Sequence, residues 1–243
     1  MRGCGMMNRI VIFAVFLIVA LGLYMGVVST ALAVVVDDIS RGVVFDFNAL
    51  QGSVGEIATA LATDVAFLIA IAESFNPSLP PEQSMQIATA IMQYSYENGV
   101  PPILTAMVIG AESQFVPRAR GRLDEIGLMQ VRERYAPHWA RLAGIPYEGQ
   151  ETLLSPEANI AIGTYMLGYL LRKYDFATGL ALTAYNAGEG RVDRWLSSGG
   201  SLSQTYSENI LATYHYYKEM APSLWTAASV SVAGFTEGAV GEH

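Results

Sequence analysis

Ile103-Leu104-Thr105-Ala106-Met107-Val108-Ile109-Gly110-Ala111-Glu112-Ser113 leads through Q-F-V-P-R-A-R-G-R-L-D-E, residues 114–125, into Ile126-Gly127-Leu128-Met129-Gln130. The first eleven residues predict a helix, opened by Pro101-Pro102, because proline suits a first helical turn. Leu104, Met107, Val108 and Ala111 recur at helical spacing and are expected to face inward. Glu112 is the one charged residue of that run. It stands at the C-terminal end, where the helix dipole disfavours an anion, and apolar walls would disfavour it further. A carboxyl that keeps its proton near neutral pH is what a general acid requires. Residues 116–125 predict a loop or hairpin with a basic turn, and any β structure is expected here. Gly127 to Gln130 is expected to enter another helix, with Gly127 allowing close backbone approach.

On the N-terminal side, Glu82 to Asn98 predicts a helix with Met85, Ala88, Ile91, Met92 and Tyr94 on its apolar side and Gly99 as its stop. Asn76-Pro77-Ser78-Leu79-Pro80-Pro81 is a turn-rich linker. Gly55 to Ser74 has helical character along Ile57, Leu61, Val65, Leu68 and Ala72, interrupted by Asp64. It fits a packing helix or, alternatively, a membrane-surface or partner helix. Residues 10–36 carry no charge, follow Arg2 and Arg9, and include about 19 apolar residues, close to a bilayer span. Ala31-Leu32-Ala33 offers a small-x-small cleavage site. A signal peptide and a retained anchor both fit, and the positive-inside rule then places the body outside the cytoplasm.

On the C-terminal side, Ser155 is an expected N-cap, with Pro156 at the first helical position and Glu157 in the first turn. The helix from Glu157 to Tyr174 carries Ile160, Ile162, Tyr165, Met166, Tyr169 and Leu170, enough apolar surface to be central. Helices follow over Thr178 to Ala187, Arg191 to Leu196 and Tyr206 to Met220, with a loop at Ser197 to Gly200. The last residues thin into a small-residue tail.

Composition narrows the chemistry. The chain is 52% hydrophobic and 15% charged, with a net charge of −8. Residues 37–99 hold eight acids against Arg41, whereas residues 100–194 hold ten acids and ten bases. A neutral segment with acidic flanks lacks the cationic surface that nucleic acid needs. Cys4 is the single cysteine, and His138, His215 and His243 lack metal-ligand spacing, so no metal or cofactor is expected. Gly188-x-Gly190 lacks the lysine of a phosphate loop. Ser113 has no visible His/Asp partners for a triad. Glycoside cleavage remains. Glycosidases ordinarily use two carboxylates, and the acids nearest Glu112 in sequence are Asp124 and Glu125. If either faced Glu112 across a cleft, hydrolysis would be possible. If neither did, a one-carboxylate mechanism would be required.

Taken in order, residues 96–119, Y-E-N-G-V-P-P-I-L-T-A-M-V-I-G-A-E-S-Q-F-V-P-R-A, then Gly127-Leu128-Met129-Gln130, then N-I-A-I-G-T-Y at 159–165, then Ala184-Tyr185-Asn186-Ala187-Gly188, then Tyr206, resemble the soluble-lytic-transglycosylase family of lytic transglycosylases. The resemblance covers roughly Met85 to Tyr217. It implies a mainly α, α+β lysozyme-like fold that binds peptidoglycan strands. It implies Glu112 as acid and then base, cleaving between N-acetylmuramic acid and N-acetylglucosamine with a 1,6-anhydro product. It implies that Gln130, Tyr185, Asn186 and Tyr206 hold the sugar and orient Glu112, with Ser113, Gly127 and Met129 at the site. Many members carry serine, then Gly-Ala, where this chain has Gly121, Asp124 and Glu125.

The expected organisation is a signal peptide or transmembrane anchor over 1–36, a helical extension and linker over 37–82, the lytic transglycosylase domain over 83–222, and a flexible tail over 223–243. The expected location is the periplasmic side of a bacterial inner membrane, or a virion. Expected partners are glycan strands, the membrane through the N-terminal segment, and proteins of a wall-spanning complex or phage particle. The rival readings are a lysozyme-type hydrolase using Glu125 and a glycan-binding component that does not cut.

Overall fold

The computed structural model describes residues 47–221. The expected leader or anchor over 1–36 and the tail over 223–243 lie outside the described residues, as does the start of the extension. The backbone divides between Ala62 and Thr63 into two compact units, and α1, Phe47–Phe75, runs through that division. Among the described residues no helix is long and apolar enough to cross a membrane.

The second unit is built from helices. After α1 come α2, Pro81–Asn98, and α3, Pro102–Ser113. A two-stranded hairpin follows, β1 Glu125–Ile126 and β2 Val131–Arg132, paired antiparallel with Glu125 opposite Arg132. A single 3-10 turn, Glu133–Tyr135, leads into α4, Ala136–Leu142, and α5, Gln150–Leu154. Then come α6 Pro156–Lys173, α7 Thr178–Ala187, α8 Glu189–Ser198 and α9 Thr205–Met220. The expected mainly helical fold with a small hairpin is observed.

Two helices organise the core. α6 packs against α2, α4, α5, α7 and β2. α3 packs against α2 and α9, and every residue from Pro102 to Gly110 is buried. A helix apolar all round belongs in an interior. α3 stops without glycine: Gln114 and Phe115 both adopt left-handed backbone, at φ 53° and 56°. Each such residue costs about 1–2 kcal/mol. The fully buried Phe115 ring offsets that cost, seated 5.6 Å from Phe75, and Asn76 Nδ2 donates to the Phe115 carbonyl at 3.0 Å. This anchored turn ends the helix just after Glu112 and fixes where that carboxyl stands.

Several expectations need correction. Gly127 to Gln130 does not enter a helix; it is the turn joining β1 to β2. The turn is closed by the Gln130 N–H and the Gln130 side-chain amide, both donating to the Gly127 carbonyl at 3.2 and 2.8 Å. The β structure lies mainly at 125–132, with an isolated bridge from Arg120 to Ile126. Met85 is 51% exposed, because α2 buries Ser84 and Ser95 instead. Their hydroxyls are satisfied by the Pro80 carbonyl and by Thr105 Oγ1. Ala111 is exposed, since α3 emerges from the core in its last turn. Ser155 occupies the N-cap position but makes no side-chain capping bond. α1 begins earlier than expected and runs straight through Asp64, with Leu68, Ile71 and Ala72 buried on the same face.

Candidate active site

Glu112 reaches a cleft of about 590 Å³. The hairpin contributes Glu125, Gln130 and Arg132, α4 contributes His138 and Trp139, and the end of α7 contributes Tyr185 and Asn186. Each element is held by a specific contact. Asn159, in the first turn of α6 and fully buried, accepts the Met129 N–H at 2.7 Å. Its amide donates to the Ile126 and Leu153 carbonyls at 2.8 and 2.9 Å. One side chain therefore satisfies three buried backbone groups and ties the hairpin to α5 and α6. Gly127, at φ 81°, leaves no room for a Cβ, which would collide with Asn159 and the Leu153 carbonyl. Gly163 of α6 likewise makes room for Met129, whose Sδ would stand 2.5 Å from an added Cβ.

Two tyrosines complete the arrangement. Tyr206 of α9 donates to Glu112 Oε1 at 2.5 Å. Tyr185 of α7 donates to the Met129 carbonyl at 2.8 Å, linking the cleft floor to the hairpin turn. Burial pushes the Glu112 carboxyl up from its ordinary 4.5. The Tyr206 hydrogen bond pulls it back, the Glu125 charge raises it again, and Arg132 lowers it, leaving it at about 7. Tyr206 and Tyr185 are both held well above the usual phenol range, chiefly by burial and then by the Glu112 charge. Near neutral pH both tyrosines are hydrogen-bond donors.

The structure brings Glu112, Gln130, Tyr185 and Asn186 to one cleft, with Tyr206 on the carboxyl. Ser113 and Met129 do not line it. The Ser113 hydroxyl donates back to the Ile109 carbonyl at 3.2 Å. The fully buried Met129 side chain packs under α6, and its backbone carries the contacts to Tyr185 and Asn159. Gly127 acts through backbone geometry beneath the site. Asn159, Arg132 and Trp139 were not singled out from the sequence. Two signals pointed to Asn159: its polar amide within the apolar series of α6, and its place at the head of the N-I-A-I-G-T-Y stretch at 159–165. Trp139 lies 5.3 Å from Tyr169 and 5.2 Å from His138, forming an aromatic wall. Among the described residues no cluster of three or more His, Cys, Asp or Glu could hold a metal ion.

A helical domain with a short hairpin over one cleft, and a carboxyl at the end of its central helix, is a lysozyme-like arrangement. The transglycosylase SLT domain family model matches residues 89–207 of the chain. The soluble lytic murein transglycosylase of Salmonella typhimurium is 34% identical over 122 residues, covering 44% of this chain and 19% of the relative. That of Escherichia coli K12 is 29% identical over 153 residues, covering 56% and 24%. Among solved structures, the 70 kDa soluble lytic transglycosylase of Escherichia coli aligns with a TM-score of 0.50 at 28% identity, covering 54% of this chain and 24% of that one. A 70 kDa soluble lytic transglycosylase in complex with bulgecin A aligns at 0.53 and 27% identity, covering 62% and 25%. The chain thus spans about a fifth to a quarter of the length of these soluble relatives.

Proposed function

We propose that the protein is a peptidoglycan lytic transglycosylase in which Glu112 serves first as acid and then as base. The observation that carries this reading is the Glu112 carboxyl at the end of its helix, facing the cleft and gripped by Tyr206, with burial favouring its protonated form. Glu112 gives its proton to the oxygen joining N-acetylmuramic acid to N-acetylglucosamine, and the C1–O bond breaks. The substrate's acetamido group helps stabilise the developing oxocarbenium. The Glu112 carboxylate then takes the proton of the muramoyl C6 hydroxyl as that oxygen bonds to C1. The product is a 1,6-anhydro sugar, Glu112 ends protonated, and no water is consumed.

Gln130 and Asn186 line the cleft and are suited to polarise and hold the sugar. Tyr206 orients the carboxyl, and Tyr185 sets the height of the hairpin beneath it. The apolar segment near the N-terminus supports action on the wall side of the bacterial inner membrane. A membrane association is in keeping with the name of one relative, the membrane-bound lytic murein transglycosylase C of Photorhabdus laumondii, 34% identical over 119 residues, 44% of this chain and 33% of the relative. Incubating the full chain with labelled sacculi tests the reading. Wild type should release soluble fragments and Glu112→Gln should not. Release by both proteins would remove Glu112 from the chemistry.

A further inference from the structure

Glu125 and Arg132 face each other in register across the root of the hairpin, with Arg132 Nε 3.2 Å from Glu125 Oε1. The other carboxylate oxygen, Oε2, accepts the Leu123 N–H at 2.8 Å. Both oxygens of Glu125 are therefore engaged. Its side chain is 18% exposed, more sheltered than the solvated pairs whose contribution is negligible. Both residues line the cleft that holds Glu112.

We propose that Glu125 and Arg132 are positioning residues, a charge-balanced pair acting on Glu112 in opposite senses. Glu125 favours the proton on Glu112 before the glycosidic bond breaks, and Arg132 favours the carboxylate left afterwards. The inference rests on the acid-then-base role of Glu112. The groups acting on Glu112 come from three elements: Tyr206 on α9, Glu125 on β1 and Arg132 on β2; the Glu112 charge in turn raises Tyr185 on α7. The two phenols stay neutral, so the opposed charges on Glu112 come from the pair. Arg134, His138 and Glu189 line the same cleft. A residue that must be an acid in one step and a base in the next gains from neighbours of both signs.

Carboxyl carbon NMR titration of Glu112 in the ligand-free full chain, assigned with Glu112→Gln, reads the pair directly. Glu125→Gln removes a like charge and leaves Arg132 unopposed, so the midpoint should fall. Arg132→Gln removes the cation, so the midpoint should rise, and the double variant should lie between the two. The alkaline limb of kcat on purified peptidoglycan should move in the same two directions. Glu125→Asp, which keeps the charge, should restore most of the wild-type midpoint. Thermal melts identify any variant that fails to fold; should Glu125→Gln be one, Arg132→Gln against Arg132→Lys carries the test. Shifts of the same sign from both single variants, or no shift from either, would overturn the proposal. Full cleavage by Glu112→Gln would defeat the acid–base assignment, whereas the titration of the pair would still be read independently.

Discussion

Glu112 keeps its proton because burial outweighs the two groups that favour its anion, Tyr206 and Arg132. Its carboxyl is at about 7 in the folded chain against an ordinary 4.5, so between those values the folded state binds more protons than the unfolded state. Stability therefore falls as pH rises through that window, by up to about 3 kcal/mol. Glu112→Gln removes that loss. Its melting temperature should exceed that of wild type at pH 8 and match it near pH 4, while cleavage drops by about 10²–10⁴-fold, the usual share of a general acid–base group. A melting temperature at pH 8 no higher than wild type would show that the carboxyl is not held protonated. Tyr206→Phe removes a donor that favours the Glu112 anion. Its pH–rate profile should shift its alkaline limb to higher pH, with kcat down about tenfold for one lost charge-assisted bond. A limb that stays in place would detach Tyr206 from the carboxyl's chemistry.

At the scale of elements, the hairpin is held to the helices by Asn159. Asn159→Ala leaves the Met129 N–H and the Ile126 and Leu153 carbonyls without this partner. Orphaned buried groups cost about 1–3 kcal/mol each and do not add fully, so urea unfolding should show a loss of at least about 3 kcal/mol. A loss below about 1 kcal/mol would mean the hairpin is held otherwise. The helices were legible where their signals are local. Pro101-Pro102 marks the start of α3, Gly99 the end of α2, and Thr178 to Ala187 is α7 to the residue. The Gly127-Leu128-Met129-Gln130 turn was not, because its geometry depends on a non-glycine residue, Gln130, at φ 48° and on an amide thirty residues beyond Met129. The misreading of Met85 has the same origin. Ser84 and Ser95 look polar in sequence, yet each is buried with its hydroxyl satisfied, Ser84 by the Pro80 carbonyl one turn back and Ser95 by Thr105 inside the core. Glu112 was legible as a carboxyl at a helix end, whereas the pairing of Glu125 with Arg132 required the hairpin register.

At the scale of the whole molecule, the net charge of −8 is carried by the flanks, while the cleft-bearing residues 100–194 are balanced. Recognition of a wall polymer therefore depends on contacts inside the cleft rather than on long-range attraction. kcat/KM on soluble glycan strands should change by less than about threefold between 50 and 200 mM salt; a steep fall would reveal electrostatic steering. The central claim is that one carboxyl performs both proton transfers. Mass spectrometry of the products released from purified peptidoglycan by the full chain, with Glu112→Gln as control, tests it most directly. Anhydro-muropeptides from wild type alone are the predicted result. Reducing-end muropeptides would contradict it, because they require water and a second group to activate it.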